Sequence, residues 1–196
     1  MFWQEVHHLD QLITLEINSW HSAITDPIWW FFSNKWVWIP MYVAIVALLI
    51  WRLGWKKGLI AIGAAVLTFV FCDQFSNLIK EAVGRIRPLH DEFMLANGIH
   101  ILEKGGRFSF FSAHSANSFG LSAGTLTCLR DDKRMTYKWY ARWMFFWAAM
   151  VSISRIFVGK HYLGDVIVGI IVGYLAGLSF GKLARWAMKK IFRQIA

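Results

Sequence analysis

Lys80 opens the run K-E-A-V-G-R-I-R-P, so a lysine and the pair Arg87-Pro88 stand in the pattern K-x-x-x-x-x-x-R-P. Further along, Ser154-Arg155, His161 and Asp165 follow S-R-x-x-x-x-x-H-x-x-x-D, and F-S-A-H (residues 111–114) lies between the two. Each cluster abuts an apolar segment long enough to cross a bilayer. Three cations, two histidines and a carboxylate gathered at a lipid boundary suit the handling of phosphate.

A phosphomonoester or diphosphate presents several anionic oxygens, and charge redistributes among them as the bond to the leaving group breaks. Lys80, Arg87 and Arg155 suit the non-bridging oxygens, the two arginines in bidentate fashion. Ser112 stands where a helix cap is needed, and the free amides of Ala113 and His114 behind it suit an anion. His161 and Asp165 are four apart, so the carboxylate can hold one imidazole nitrogen and leave the other as a nucleophile. His114 can then protonate the leaving oxygen and later activate water. Pro88 ends any helix at Arg87 and keeps the chain extended.

The bland explanations account for other residues. Lys160 and Arg107 read as side chains snorkelling to headgroups. His7, His8, His21, His90 and His100 stand outside the pattern and read as headgroup contacts or packed histidines. Cys72 and Cys128 fall inside apolar segments as buried free thiols, with neither a disulfide framework nor metal-ligand spacing.

These residues need elements to hold them. The chain has 196 residues, 57% hydrophobic, with 12 Trp and 16 Phe, too apolar for an ordinary soluble domain and of a length for one domain, 1–196. The fold expected is all-α: a polytopic transmembrane bundle with spans near 36–53, 58–80, 114–130, 139–158 and 162–181. Residues 1–26 carry Glu5, Asp10, Glu16 and Asn18 at helical spacing and read as an amphipathic interfacial helix, broken by Asp26-Pro27. Residues 1–35 then form an interfacial segment, with Trp36 and Trp38 in an aromatic belt. A sixth crossing by the first segment is the alternative. The start lacks the positive region and cleavage site of a signal peptide, so the first span reads as an uncleaved anchor.

The net charge of +9 does not point to nucleic acid, because of where it falls. Arg52, Lys56, Lys57, Arg130, Lys133, Arg134, Lys138, Arg142, Lys182, Arg185, Lys189, Lys190 and Arg193 all land on one side if five spans alternate. That side is cytoplasmic by the positive-inside rule. The motif residues fall on the other side.

Several features bear on packing. Asp73, Asn77 and Lys80 share one helix face, and Asp73 is expected to face the bundle interior in a hydrogen bond to another helix. Residues 84–111, with five glycines or prolines and Asp91-Glu92, read as an outer loop and candidate lid. The small residues of 112–125 suit a central helix. Gly169, Gly173, Gly177 and Gly181, four apart, let a neighbour approach closely, on the face that also carries Asp165 and His161.

The three stretches resemble the signature of the type 2 phosphatidic acid phosphatase superfamily of integral membrane lipid phosphatases: K-x-x-x-x-x-x-R-P, P-S-G-H and S-R-x-x-x-x-x-H-x-x-x-D. The first and third match in full. In the middle one Phe111 replaces proline and Ala113 replaces glycine. Ala113 disfavours a left-handed backbone and adds a methyl where phosphate approaches, and Phe111 is expected at an acyl or prenyl entrance. The resemblance implies a metal-independent hydrolase with no cofactor that works through a phosphohistidine. His161 would be the nucleophile, Asp165 its orienting partner and His114 the acid and base, with Lys80, Arg87, Ser112 and Arg155 on the phosphate.

A lipid phosphatase of a bacterial cytoplasmic membrane is therefore expected, its site facing the periplasm or exterior and its C-terminus cytoplasmic. Its partners would be the bilayer and a lipid phosphate: undecaprenyl diphosphate, lipid A, phosphatidylglycerophosphate or phosphatidic acid. The rival is a membrane protein that binds or translocates lipid phosphates without cleaving them. Vanadium-dependent haloperoxidases have a similar anion site on soluble folds, against which the apolar spans count.

Overall fold

A computed structural model describes residues 2–192; Arg193, counted above with the basic tail, lies outside them. Eight helices follow in order: α1 (Phe2–Ser19), α2 (Asp26–Ser33), α3 (Ile39–Leu53), α4 (Trp55–Val83), α5 (Glu92–Ala96), α6 (Ala113–Leu129), α7 (Lys138–Phe157) and α8 (Leu163–Phe192). Short 3-10 turns at Lys35–Trp38 and Pro88–His90 precede α3 and α5. The five longer helices after α2 start within three residues of the expected apolar segments, but α8 runs eleven residues past the expected end at 181. Three stretches are long and apolar enough to cross a membrane: Lys35–Leu53, Trp55–Val83 and Leu163–Phe192, with mean hydropathy of 1.8, 1.8 and 1.9. α6 and α7 are not among them; α6 has 17 residues and is rich in Ser, Ala, Gly and Thr.

Glycines set the turns. Gly54 (φ 78°) separates α3 from α4 by a single residue, and Gly84 (φ 64°) ends α4 in a left-handed cap, its N–H donating to the Lys80 carbonyl. Both conformations are strained for a residue with a Cβ.

α6 and α8 pack most extensively of all the helix pairs. A Cβ built on Gly169, Gly173, Gly177 or Gly181 would run into the α6 backbone, at the carbonyls of Ser112, Ala116, Gly120 and Gly124 in turn. The glycine stripe is thus the contact surface, and helix axes at this separation gain dispersion contacts that larger side chains would prevent. The contact also sets the register between the start of α6, with His114, and the start of α8, with Asp165. α4 and α7 flank the pair, and α3 lies against α4. The main core cluster is aromatic and aliphatic, with Trp38, Leu49, Leu129, Met144, Trp147 and Met188 buried together.

α1 differs in detail from expectation. It ends at Ser19, before a turn closed by Ser22 and Thr25, whose hydroxyls and amides bond one another. Asp26-Pro27 does not break a helix but opens α2, since proline in a first turn forfeits only an amide that has no intrahelical partner. The buried face of α1 is polar: Gln11, Thr14 and Asn18 point at the protein while Phe2, Trp3, Leu9 and Leu12 face outward. Its contacts run to Asp91, His100, Ile156, Phe157, Leu163 and Gly164. All lie at one end of the bundle, so α1 sits across that end.

The Phe111 expectation is overturned. Its side chain is 1% exposed and packs with Cys72, Ala116 and Ala176 between α4, α6 and α8, while Ser76 donates to its carbonyl. The Phe110–Phe111 peptide is cis.

Candidate active site

The site is built where α4, α6, α7 and α8 end together. A cavity of about 770 Å³ there is lined by Lys80 from α4, Arg87 from the following loop, Ala113 and His114 from α6, Arg155 from α7 and His161 before α8. Six of the eight residues singled out in the sequence therefore face one space, although they come from five segments. The other two stand directly behind it. Asp165 approaches His161, with Oδ2 3.4 Å from Nδ1. This long contact is of the kind that tightens when the imidazole acquires charge. Ser112 is fully buried: its hydroxyl accepts from the amide of Ser115 at 3.4 Å, and its own amide donates to the Asp165 carbonyl at 3.0 Å. It caps α6 and ties that helix to α8.

Ala113 occupies the first position of α6, and among the described residues no non-glycine has a positive φ. The alanine therefore meets no left-handed requirement here, and its amide and that of His114 stay at the open N-terminus of the helix.

Arg155 is 2% exposed, so snorkelling is closed to it. One terminal nitrogen bonds the Ser33 hydroxyl at the end of α2, whereas Nε is buried with no hydrogen-bond partner among the described residues. A guanidinium so held keeps an unsatisfied donor beside the cavity that its side chain lines. Arg87 uses its own Nε on the Phe108 carbonyl at 2.8 Å, which leaves its terminal nitrogens. Burial pulls the imidazole of His161 well below its ordinary pKa, with nearby Arg87 and Arg155 adding to the effect, so the ring rests neutral.

Several contributors escaped the sequence reading. Arg85, two before Arg87, turns away from the cavity to clamp Asp165: Nη1 lies 2.8 Å from Oδ1 of Asp165, and Nη2 2.7 Å from Oδ2 of Asp10. The guanidinium also covers the Tyr162 ring at 3.9 Å and meets Nδ1 of His7 at 3.0 Å. Burial, and then the Arg85 charge, lower the His7 imidazole. Asp10 reaches the amide of Gly164 at 2.9 Å as well, so α1 anchors the first turn of α8. The polar stripe of Asp10, Gln11, Thr14 and Asn18 at helical spacing was the readable signal for this.

Lys160 does not snorkel. It lines the cavity and pairs with Glu103 at 2.5 Å, and Glu103 also accepts from the Ser33 hydroxyl at 2.6 Å. Burial opposes ionisation of Glu103, but Lys160 and Ser33 hold its carboxyl below the usual range. Nothing local marks this group, since its members come from α2, the 84–111 connection and the α7–α8 loop.

That connection is pinned along its length. Its base is closed by an antiparallel bridge between Ile86 and Phe108, and Asp91 receives bonds from Gln11, Tyr162 and the amide of Met94. Gly105 and Gly106 reach over the cavity rim. Asp73 lines the cavity below Lys80, half-buried, rather than being sealed against another helix. Toward the basic end the cavity continues as an apolar cleft between α3 and α4, walled by Ile39, Val46, Leu49, Val66 and Phe69.

Known proteins resemble this chain in sequence and in fold. Over 175 residues the chain is 34% identical to a lipid A 4'-phosphatase of Bacteroides thetaiotaomicron, covering 88% of this chain and 75% of that one. An undecaprenyl-diphosphatase of Sulfolobus acidocaldarius is 29% identical over 82% of this chain and 70% of its own. Among solved structures, a phosphatidylglycerolphosphate phosphatase of the PAP2 type from Bacillus subtilis superposes with a TM-score of 0.70 at 21% identity, covering 95% of this chain and 88% of that one. Aquifex aeolicus LpxE does so at 0.64 and 22%, covering 87% and 93%. With the PAP2 superfamily model matching residues 57–189, from the start of α4 almost to the end of α8, the chain belongs to the PAP2 superfamily.

Proposed function

We propose that this protein is a membrane lipid phosphatase whose five long helices cross a bacterial cytoplasmic membrane, with the catalytic end outside and the end of α8 cytoplasmic. The observation that carries the reading is the convergence of Lys80, Arg87 and Arg155 on one cavity, with a buried Arg155 Nε that no protein group satisfies. Buried donors in this state call for an anion. The cavity is continuous with an apolar cleft, as a phosphate on a lipid anchor requires. The basic residues at the opposite end support the orientation, and the outward apolar face of α1 supports its lying in the interface.

In this mechanism the three cations and the amides at the start of α6 hold the non-bridging oxygens. Nε2 of His161, freed because Nδ1 faces Asp165, attacks phosphorus in line with the ester oxygen. The P–O bond breaks, His114 gives its proton to the leaving oxygen, and a phosphohistidine remains. His114 then takes a proton from water, whose oxygen displaces His161 and releases inorganic phosphate. None of these steps calls for a metal ion. Among candidate substrates, a lipid A phosphate comes first, because relatives so named align over 88% and 93% of the chain. Undecaprenyl diphosphate, phosphatidylglycerophosphate and phosphatidic acid follow.

The test is phosphate release from these four lipids by the detergent-solubilised protein in a chelator, with His161→Ala as the blank. Release at least ~10⁴-fold above the blank is expected for the preferred lipid. Equal release by wild type and His161→Ala would overturn the mechanism. Tight retention of intact lipid phosphate without turnover would instead support a binding or translocating protein.

A further inference from the structure

His21, Asp26 and His100 come from the α1–α2 turn, the first residue of α2 and the 84–111 connection, and none of them lines the catalytic cavity. Their side chains nevertheless meet. One potential ligand atom from each lies within 4.8 Å of the other two. The two oxygens of Asp26 face one ring apiece: Oδ2 is 2.9 Å from Nε2 of His100, and Oδ1 is 3.9 Å from Nδ1 of His21. Oδ1 of Asp26 is buried and has no hydrogen-bond partner. The imidazoles stack face to face, with centroids 3.6 Å apart and planes 4° from parallel, which brings two nitrogen donors to the same carboxylate.

We propose that this cluster is a binding site for a divalent cation of the zinc type, separate from the catalytic centre. Two imidazoles and a carboxylate are a borderline donor set suited to zinc, and such a set leaves a fourth, water-filled position. Ligand atoms around a tetrahedral zinc stand ~3.3 Å apart at the usual bond lengths of about 2.0–2.1 Å. A zinc ion lies near the plane of each imidazole that binds it, so the parallel stack must open, and it is the exposed ring of His21 that swings to aim a nitrogen at the ion beside Asp26 and His100. Binding displaces the proton that bridges His100 and Asp26, and gives the unpartnered Oδ1 a charge to face.

The surroundings hold one ligand in place in advance. Asn18 grips the backbone of His100 on both sides: its Oδ1 accepts from the His100 amide at 2.8 Å and its Nδ2 donates to the His100 carbonyl at 3.1 Å. The consequence for the fold is a clamp. Asp26 begins α2 and Ser33, which bonds Arg155 and Glu103, ends it. A cation here would fasten the rigid helix that supports Arg155 to both α1 and the outer connection. This assignment does not depend on the phosphatase reading.

The test uses the full chain in detergent, stripped with a chelator and titrated calorimetrically with zinc chloride, and its Tm recorded with and without the metal. One zinc per chain and a Tm raised by several degrees are expected. In His21→Ala/His100→Ala the affinity falls at least ~100-fold and the Tm response disappears. His161→Ala keeps both. His100→Gln, a milder change, and the metal-free Tm of each variant show whether loss of binding reflects unfolding. No binding by the wild type, undiminished binding by the folded double variant, or loss of binding in His161→Ala would each overturn the proposal.

Discussion

The two ends of the bundle treat charge in opposite ways. At the basic end each buried carboxylate is matched. Asp132, 1% exposed, takes Arg52 at 2.7 Å, Arg134 at 3.0 Å and the Tyr137 hydroxyl at 2.5 Å, while Lys57 reaches Asp131 at 2.9 Å. At the cavity end, among the described residues, Lys80 and Arg87 have no carboxylate in ion-pair reach, and Arg155 has only Glu103, 3.9 Å away. An uncompensated cation in such surroundings costs several kcal/mol, so packing alone does not account for the second arrangement. The basic end holds the fold together. The other end carries an electrostatic deficit that, under the proposed function, a phosphate would relieve, the usual trade of stability for activity.

Substitutions at the two ends should therefore have opposite consequences. The largest effect on activity is expected from Lys80→Met, which keeps the chain's bulk and removes its charge. Its kcat/KM should fall about 10²–10³-fold, while Tm measured without phosphate rises by a few degrees as repulsion with Arg87 is lost. Inorganic phosphate should raise the Tm of the wild type far more than that of the variant. A fall in Tm for Lys80→Met would break the contrast.

Asp10→Asn probes the boundary between the two kinds of residue. Asp10 does not line the cavity; it pairs with Arg85, which pairs with Asp165, which faces His161. A positioning role predicts roughly a ten-fold loss in kcat with KM nearly unchanged, whereas a merely structural role would lower Tm and leave kcat alone.

Asp132→Asn should have the smallest effect on activity, none in kcat/KM, with a Tm lower by several degrees at pH 7. The Tyr137 hydroxyl above all, then Arg134 and Arg52, hold the Asp132 carboxyl well below the usual carboxylate range against the opposing pull of burial. A group depressed in the folded state stabilises above its unfolded value, about 3.9, and that stabilisation is lost as pH falls below it. The Tm difference between wild type and Asp132→Asn should thus be wide at neutral pH and close progressively below about pH 4.

Much of this was legible beforehand, and the exceptions share a cause. Helical periodicity and apolar length placed α3, α4, α6, α7 and the start of α8 within a few residues, because those signals are local, but missed the last eleven residues of α8, whose Lys182, Arg185, Lys189 and Lys190 interrupt the apolar run. The glycine stripe of α8 identified its own contact face, since only a close helix neighbour gives four evenly spaced glycines a purpose. The residues overlooked, Arg85, Asp10, Glu103 and Ser33, act through partners 57 to 122 positions away, a relation no spacing rule expresses. Lys160 was assigned to the headgroups because a lysine at a helix end looks the same whether or not a distant glutamate awaits it. Phe111 was placed at a lipid entrance because a large apolar ring stands beside the motif, whereas the ring is buried at the α4–α6–α8 junction.

By itself the sequence determined the kinds of side chain available for phosphate chemistry, the helices at whose ends they sit, and the sidedness of the basic residues. These follow from composition and from periods of a few residues. Only the tertiary structure decided which cations remain unpaired and which are neutralised, that α1 turns its polar face to the start of α8, and that two histidines and an aspartate from separate segments meet outside the cavity. Pairing depends on distances of a few ångströms between segments far apart in the chain, and those distances are set by helix packing.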